Sequence, residues 1–279
     1  MRFSSAPLGS TEFFAQVEEH RYALEPHIPA LAQFERWRDR DVLEAGCGIA
    51  TDGVRFARAG ARYTGLDGST VATELARRRL ELESLRGEIV EGSVTDLPFR
   101  DASFDLVFSH GVVHHVSDTE RAVAEFHRVL RPGGTALVMV YHRRSLNYQI
   151  NIMLLRRLGV GVLRLPGASE VIARRTGEDR AVVDAHAELL RRHGMRYLLD
   201  RQLFLSHNTD GPGNPLSKAY TRSGARQLFA AFDRVETQVR FLNLRLYPGG
   251  DRLAGTTIAR RLERRWGWHL YVTAVRATG

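Results

Sequence analysis

The chain is expected to fold as an α/β protein built on a doubly wound parallel sheet, and three observations lead there. The apolar run Asp41-Val42-Leu43 enters a tight turn, Glu44-Ala45-Gly46-Cys47-Gly48, and an acid, Asp67, follows about twenty residues on. Strand-like and helix-like stretches then alternate as far as residue 142, which is the pattern of strand-helix-strand crossovers. The stretch Ala136-Leu137-Val138-Met139-Val140-Tyr141 is apolar at consecutive positions, as a strand covered by helices on both faces must be.

The elements follow in order. Residues 11–38 read as helical, with Phe13, Phe14 and Val17 on one face and a break at Pro26 or Pro29 before Ile28, Leu31 and Phe34. They make a helical lid over residues 1–39, in which His20, Arg21 and Tyr22 stand where it would close on a ligand. The first strand, 41–45, runs into the glycine turn, and a helix from 51 to 59 stops at Gly60. The second strand, 61–66, ends at Asp67, after which Ser69 or Thr70 caps a helix reaching Leu82. Residues 88–91 make a short third strand and 104–109 a fourth. Asp118 then caps a helix whose Ala122, Phe126, Val129 and Leu130 share a face, and Arg131-Pro132-Gly133-Gly134 turns the chain into a fifth strand, 135–141.

There the alternation stops. Residues 145–219 read as helices, 146–158 and 178–192, joined by polar segments such as 206–215, rich in Gly, Pro and Asn. They are expected to be a cap inserted over the site. A helix over 223–232 and two strands, 234–242 and 269–275, return as an antiparallel pair that closes the sheet.

A chain of 279 residues can bury one large core and a modest cap, so one domain, 40–279, is expected behind the lid. Apolar residues at 43% and charged residues at 26% are ordinary for a globular protein in water. No run approaches the roughly eighteen apolar residues of a membrane span and the first residues hold no apolar leader, so a cytoplasmic location is expected. Cys47 is the sole cysteine and no Cys/His spacing marks a metal, which predicts neither a disulfide nor a metal site. The net charge of +8 would draw polyanions. Yet Lys218 is the sole lysine, and the arginines fall in scattered pairs, among them Arg143-Arg144, Arg156-Arg157 and Arg264-Arg265, that read as solvated helix faces. Without an aromatic-interleaved basic block, the pattern argues against nucleic acid.

The turn itself selects among adenosine-containing ligands. A dinucleotide fingerprint, G-x-G-x-x-G, would need glycine where Thr51 stands, and Glu44 would repel a pyrophosphate. An ammonium or sulfonium would be attracted, and S-adenosylmethionine carries both. Glu44 is then expected at the ammonium with the Ser109 carbonyl as a second acceptor, the amides of Gly46 and Gly48 at the methionyl end, and Asp67 on the ribose hydroxyls.

In these residues the chain resembles the class I S-adenosylmethionine-dependent methyltransferases, and within them the branch of quinone-biosynthesis and small-molecule methyltransferases. The resemblance rests on Leu43-Glu44-Ala45-Gly46-Cys47-Gly48, Gly65-Leu66-Asp67-Gly68-Ser69, Leu97-Pro98-Phe99, Phe104-Asp105-Leu106-Val107, Val113-His114-His115-Val116 and Val129-Leu130-Arg131-Pro132-Gly133-Gly134, in that order. It covers residues 40–142 and the two closing strands. It implies a seven-stranded Rossmann-like sheet with its last strand antiparallel; Ala45 and Gly68 of its motifs, and Tyr22 of the lid, join the expected cofactor contacts. Two departures stand out. Ala50 replaces the third motif glycine and is small enough for the same turn. Ser93, after Gly92, stands where the family often has an Asp for the adenine amino group, so Ser93 and the Val94 amide are expected to hold the adenine.

Methyl transfer from a sulfonium is an in-line displacement whose thioether leaves without a proton, so alignment and desolvation carry most of it. A base is needed only when the nucleophile must lose a proton. His110 and His114, after the fourth strand, and His142, after the fifth, are the candidates, because histidine titrates near neutral pH. His207, Asp210 and Tyr220 in the cap are candidate substrate contacts. The function expected is methyl transfer to an oxygen or nitrogen of a small-molecule acceptor. The alternatives are an RNA or peptide methyltransferase, the RNA version marked by salt-weakened binding, and an inactive cofactor-binding scaffold, marked by binding without turnover.

Overall fold

A computed structural model describes residues 4–244, 247, 250–253 and 256–278. Strands β1 (Asp41–Ala45), β2 (Arg62–Asp67), β3 (Glu88–Glu91), β4 (Phe104–His110) and β5 (Leu130–His142) lie parallel in the order β3-β2-β1-β4-β5. A two-residue strand, β6 (Ala219–Tyr220), pairs with the end of β5. Beyond β5 come β7 (Arg234–Arg240) at the edge and β8 (His269–Val275), which runs antiparallel between β5 and β7. The seven-stranded sheet and its antiparallel closing strand are as expected, and β6 is an addition too short for any periodicity to reveal.

Helices cover both faces because the central strands are apolar on both sides. Val42 and Leu106 pack with Phe34, Phe56 and Phe108 on one face, while Leu43 and Val107 pack with Phe126 and Phe229 on the other. The lid region is α1 (Thr11–Leu24), α2 (Ile28–Ala32) and a short 3₁₀ turn, with the expected break falling between Leu24 and Ile28, where Pro26 lies. α3 (Gly53–Arg58) starts later than expected, since residues up to 52 are spent in the turn. Ser69 caps α4 (Thr70–Leu82) and Asp118 caps α5 (Thr119–Val129), each side chain accepting an amide of the first turn as read from the sequence. Residues 131–134 belong to β5 as an irregularity: the register against β4 shifts between Phe104 and Leu106, and Gly133 sits at φ +78°.

The insertion is more divided than its periodicity suggests. A π-helix, Asn147–Arg156, continues into α6 (Arg157–Val162), followed by α7 (Ala168–Thr176), α8 (Arg180–His193), α9 (Met195–Leu199) and α10 (Arg201–His207). α11 (Arg222–Leu228) precedes β7, and α12 (Thr257–Trp266), unforeseen, precedes β8. Among the described residues no helix is long and apolar enough to cross a membrane.

α1 is fixed to the domain by charge. Glu18 accepts from Arg55 at 2.6 Å and Arg58 at 2.8 Å on α3, and from the fully buried Arg79 at 2.5 Å on α4. That network sets α1 across the carboxyl ends of β1 and β4.

Candidate active site

A cavity of about 490 Å³ opens at those strand ends, between the glycine turn and α1. Glu44, Gly46, Cys47 and Gly48 form its floor, Arg21, Leu24 and Glu25 its lid side, and His110 and Asp210 its far end. The turn is made by backbone strain that glycine tolerates. Gly46 sits at φ +83° with an added Cβ only 2.2 Å from Val112, and Gly48 at φ +53°. Ala50 is also left-handed, at φ +56° and fully buried, so the turn expected with alanine forms at a conformational cost of about 1–2 kcal/mol.

Glu44 is 4% exposed and accepts a hydrogen bond from the Tyr63 hydroxyl at 2.7 Å. Burial, followed by the charge of Asp52, pushes its carboxyl up to about 8. Asp52 is buried too, and takes Arg21 Nε at 3.0 Å and the Tyr22 hydroxyl at 2.8 Å. Burial likewise raises Glu25 to about 7, with Arg21 opposing the shift. Among the described residues, Glu25, Glu44, Asp52 and Asp210 thus line the cavity with one arginine, Arg21. A wall richer in carboxyl groups than in guanidinium groups is a fit for a cationic ligand, whose charge would favour their ionised forms.

Several expected contacts are corrected. The Gly46 amide donates to the Leu66 carbonyl at 2.7 Å and the Gly48 amide to Asp67 Oδ2 at 2.8 Å, so neither is free for the methionyl end. Tyr22 stands behind the cavity, supporting Asp52. Ala45 and Ser109 are buried in the sheet and neither lines the cavity; the Ser109 hydroxyl donates to the Ala45 carbonyl at 2.8 Å, which ties β4 to β1 past their last paired residues. His110, one residue on, takes the cavity position expected of Ser109.

Asp67 accepts the Gly48 and Ser69 amides and keeps spare lone pairs at the end of β2. Gly68 and Ser93 are exposed beside it, and Val94 is buried. The Ser93 hydroxyl is shared with Thr95 at 2.7 Å.

The three histidines separate. His110 reaches the cavity; burial, then the charges of Arg21 and neighbouring histidines, holds it well below its usual pKa. His114 is fully buried with its ring 3.9 Å from that of Tyr141, a packing role and no part of the cavity wall. His142 bonds the Gly267 carbonyl at 3.0 Å and faces a different pocket.

Of the cap candidates, Asp210 lines the cavity, accepting from the Tyr141 hydroxyl at 2.8 Å and lying 3.3 Å from His115 Nε2. His207 bonds the Pro212 carbonyl and Tyr220 the Thr119 hydroxyl, so both hold local structure. Glu25, Asp52, His269 and Tyr271 went unread in the sequence. No local motif marks them, since each acquires its neighbours only through the fold.

The sheet order, the glycine turn under an acid and Asp67 at the next strand end define a Rossmann-like nucleoside-binding fold of the methyltransferase type. The comparisons agree. Residues 43–138 match a family described as "Methyltransferase domain". A protein of Mycolicibacterium smegmatis named as a probable S-adenosylmethionine-dependent methyltransferase is 31% identical over 211 residues, 65% of this chain and 80% of that protein. The chain belongs to the S-adenosylmethionine-dependent methyltransferases, and S-adenosylmethionine is its cofactor. A fatty-acid O-methyltransferase of the same organism is 37% identical over 119 residues, 42% of each chain. Magnesium protoporphyrin IX methyltransferase of Synechocystis, solved with bound S-adenosylhomocysteine, superposes with a TM-score of 0.53 at 13% identity, over 99% of this chain and 91% of that one, a likeness of fold.

Proposed function

We propose that the protein methylates an oxygen or nitrogen of a small-molecule acceptor. The observation that carries this reading is the cavity's far end, where His110 and Asp210, with Glu25 beside His110 on the lid side, offer hydrogen-bonding groups to a polar nucleophile under the cover of α1. The cofactor supplies a methyl group on a sulfonium, which leaves without needing a proton. The chain's own residues then bind and align: Glu44 holds the ammonium, Asp67 the ribose hydroxyls, and Gly68, Ser93 and Val94 border the adenine. Leu24 and the α1 segment exclude water, so charge on the nucleophile is less solvated. His110 is the catalytic contact, the residue of the expected histidines that faces the acceptor.

Asp67→Ala is expected to weaken S-adenosylhomocysteine binding at least tenfold by calorimetry, since hydrogen bonds to a charged group are each worth about 1.5–3 kcal/mol. Unchanged affinity removes Asp67 from the ribose. Incubation with labelled cofactor and a metabolite extract, followed by mass analysis, identifies the acceptor, and label found only in macromolecules would defeat the small-molecule reading.

One observation favours a second reading. Arg144, Arg222, Arg226, Arg264 and Arg265 line a separate pocket of about 530 Å³ with no carboxylate among its described lining residues. Two arginine pairs expected as unrelated solvated faces therefore contribute to one basic surface. An RNA acceptor lying there would lose affinity steeply with salt, whereas a small uncharged acceptor would not.

A further inference from the structure

We propose that Glu25, His110 and His269 form a site for one divalent transition-metal ion at the acceptor end of the cavity, an inference that rests on the small-molecule methyl-transfer reading. The three donors come from separate places: Glu25 just after α1, His110 at the end of β4 and His269 at the start of β8. Their ligand atoms all lie within 4.8 Å of one another. His269 Nδ1 is 3.3 Å from Glu25 Oε1, and His110 Nε2 is 3.9 Å from Glu25 Oε2. Donors about 2.0–2.2 Å from a tetrahedral ion sit roughly 3.3 Å apart, so the cluster is within a small side-chain adjustment of coordination.

A second observation points the same way. His269 is 4% exposed, yet its Nδ1 has no hydrogen-bond partner and lies outside bonding geometry with the nearby carboxylate. Buried polar atoms are normally satisfied, and an unpartnered nitrogen beside a histidine and a carboxylate is a donor available to a cation.

The surroundings bear both for and against. Arg21 Nη1 is 3.3 Å from Glu25 Oε2 and repels a cation, but its guanidinium is paired with Asp52. The Tyr271 hydroxyl lies 2.8 Å from His110 Nε2 and 3.0 Å from His27 Nε2; it keeps the second partner when His110 ligates. Among the described lining residues the acids Glu25, Glu44, Asp52 and Asp210 outnumber the arginine, and a bound cation would favour their ionised forms. Two imidazoles and one carboxylate, with Glu25 and His110 lining the cavity, make a ligand set that leaves a position open towards the acceptor.

The substrate class follows: an acceptor whose hydroxyl or enol oxygen is favoured in its anionic form by a nearby divalent charge. The O–H proton goes to solvent, the oxygen's electron pair forms the O–CH₃ bond, and the C–S bond breaks with its pair left on sulfur. Nothing is oxidised or reduced.

Untagged protein, stripped with chelator and desalted, is titrated with Co²⁺ under visible absorption and calorimetry. One ion per chain is expected, with ligand-field bands. His269→Ala and Glu25→Gln should each weaken binding at least a hundredfold, at or beyond the upper end for loss of an outer-shell partner, and His193→Ala should not. Thermal melts without metal identify a variant that fails to fold; His269→Gln then takes the place of His269→Ala. Equal Co²⁺ affinity in wild type and a folded cluster variant overturns the site, as does the absence of saturable binding. S-adenosylhomocysteine binding to the same metal-free protein keeps the two readings apart: nucleoside without Co²⁺ defeats the metal site alone, whereas loss of both defeats the methyl-transfer reading.

Discussion

Gly53 is where one methyl group would disturb the floor of the cavity. An added Cβ would fall 2.1 Å from the Tyr63 hydroxyl oxygen and 2.6 Å from Glu44 Oε2, both in the buried pair that sets the carboxylate. Gly53→Ala is expected to cost about 1–3 kcal/mol, the range for overpacking a filled core. Tyr63→Leu in the same chain shortens the offending side chain, so the double variant should be more stable than the summed single effects by about 1 kcal/mol or more in urea titrations. Additive effects would place the strain elsewhere. The places of Glu44 near the end of β1 and Asp67 at the end of β2 were legible because they follow from spacing along the chain. The constraint on Gly53 was not legible, since it comes from Tyr63, which reaches it from the neighbouring strand.

At the scale of elements, the strands other than β6, with α4 and α5, followed from apolar runs and capping residues, whereas the insertion did not. A π-helix and an α-helix share the same apolar side chains, and the short α9 and α10 are set by packing, which no periodicity records. α1 was read as a helix, but its anchor is electrostatic and depends on three arginines brought together by α3 and α4. Burial raises the Glu18 carboxyl, but the Arg58 hydrogen bond and the charges of Arg58, Arg79 and Arg55 outweigh it and hold the group below its ordinary value of 4.5. With the folded value below the unfolded one, the ionised carboxylate stabilises the protein above the unfolded value and loses that contribution as pH falls through the folded one. Glu18→Gln should therefore cost about 3 kcal/mol at neutral pH, because it leaves buried Arg79 with one carboxylate partner in place of two. The variant should also lose less stability than wild type on acidification below 4.5. Parallel acid slopes in denaturant titrations would show that other carboxylates set the acid response.

The whole molecule brings residues 21–25, 44–52, 110 and 210 to one cavity, and this convergence is what the sequence could least convey. Its two halves are joined at Asp52, which faces the glycine turn yet is bonded by Arg21 and Tyr22 of α1. The expected lid is thus already latched to the floor, and a ligand filling the cavity would hold both sides at once. Binding to the closed form alone adds about 2.7 kcal/mol when ligand is present at a hundred times its dissociation constant. Amide hydrogen exchange limited by opening of the latch should then slow about a hundredfold in both 11–24 and 41–53 on adding S-adenosylhomocysteine, while α11, outside the cavity lining, keeps its rate. In Asp52→Asn the charge pair with Arg21 is lost, so protection should persist in 41–53 and fall away in 11–24. If α1 is equally protected in the variant, its closure depends on the Glu18 network and not on the latch; if it gains no protection even in wild type, it is a fixed wall and not a lid.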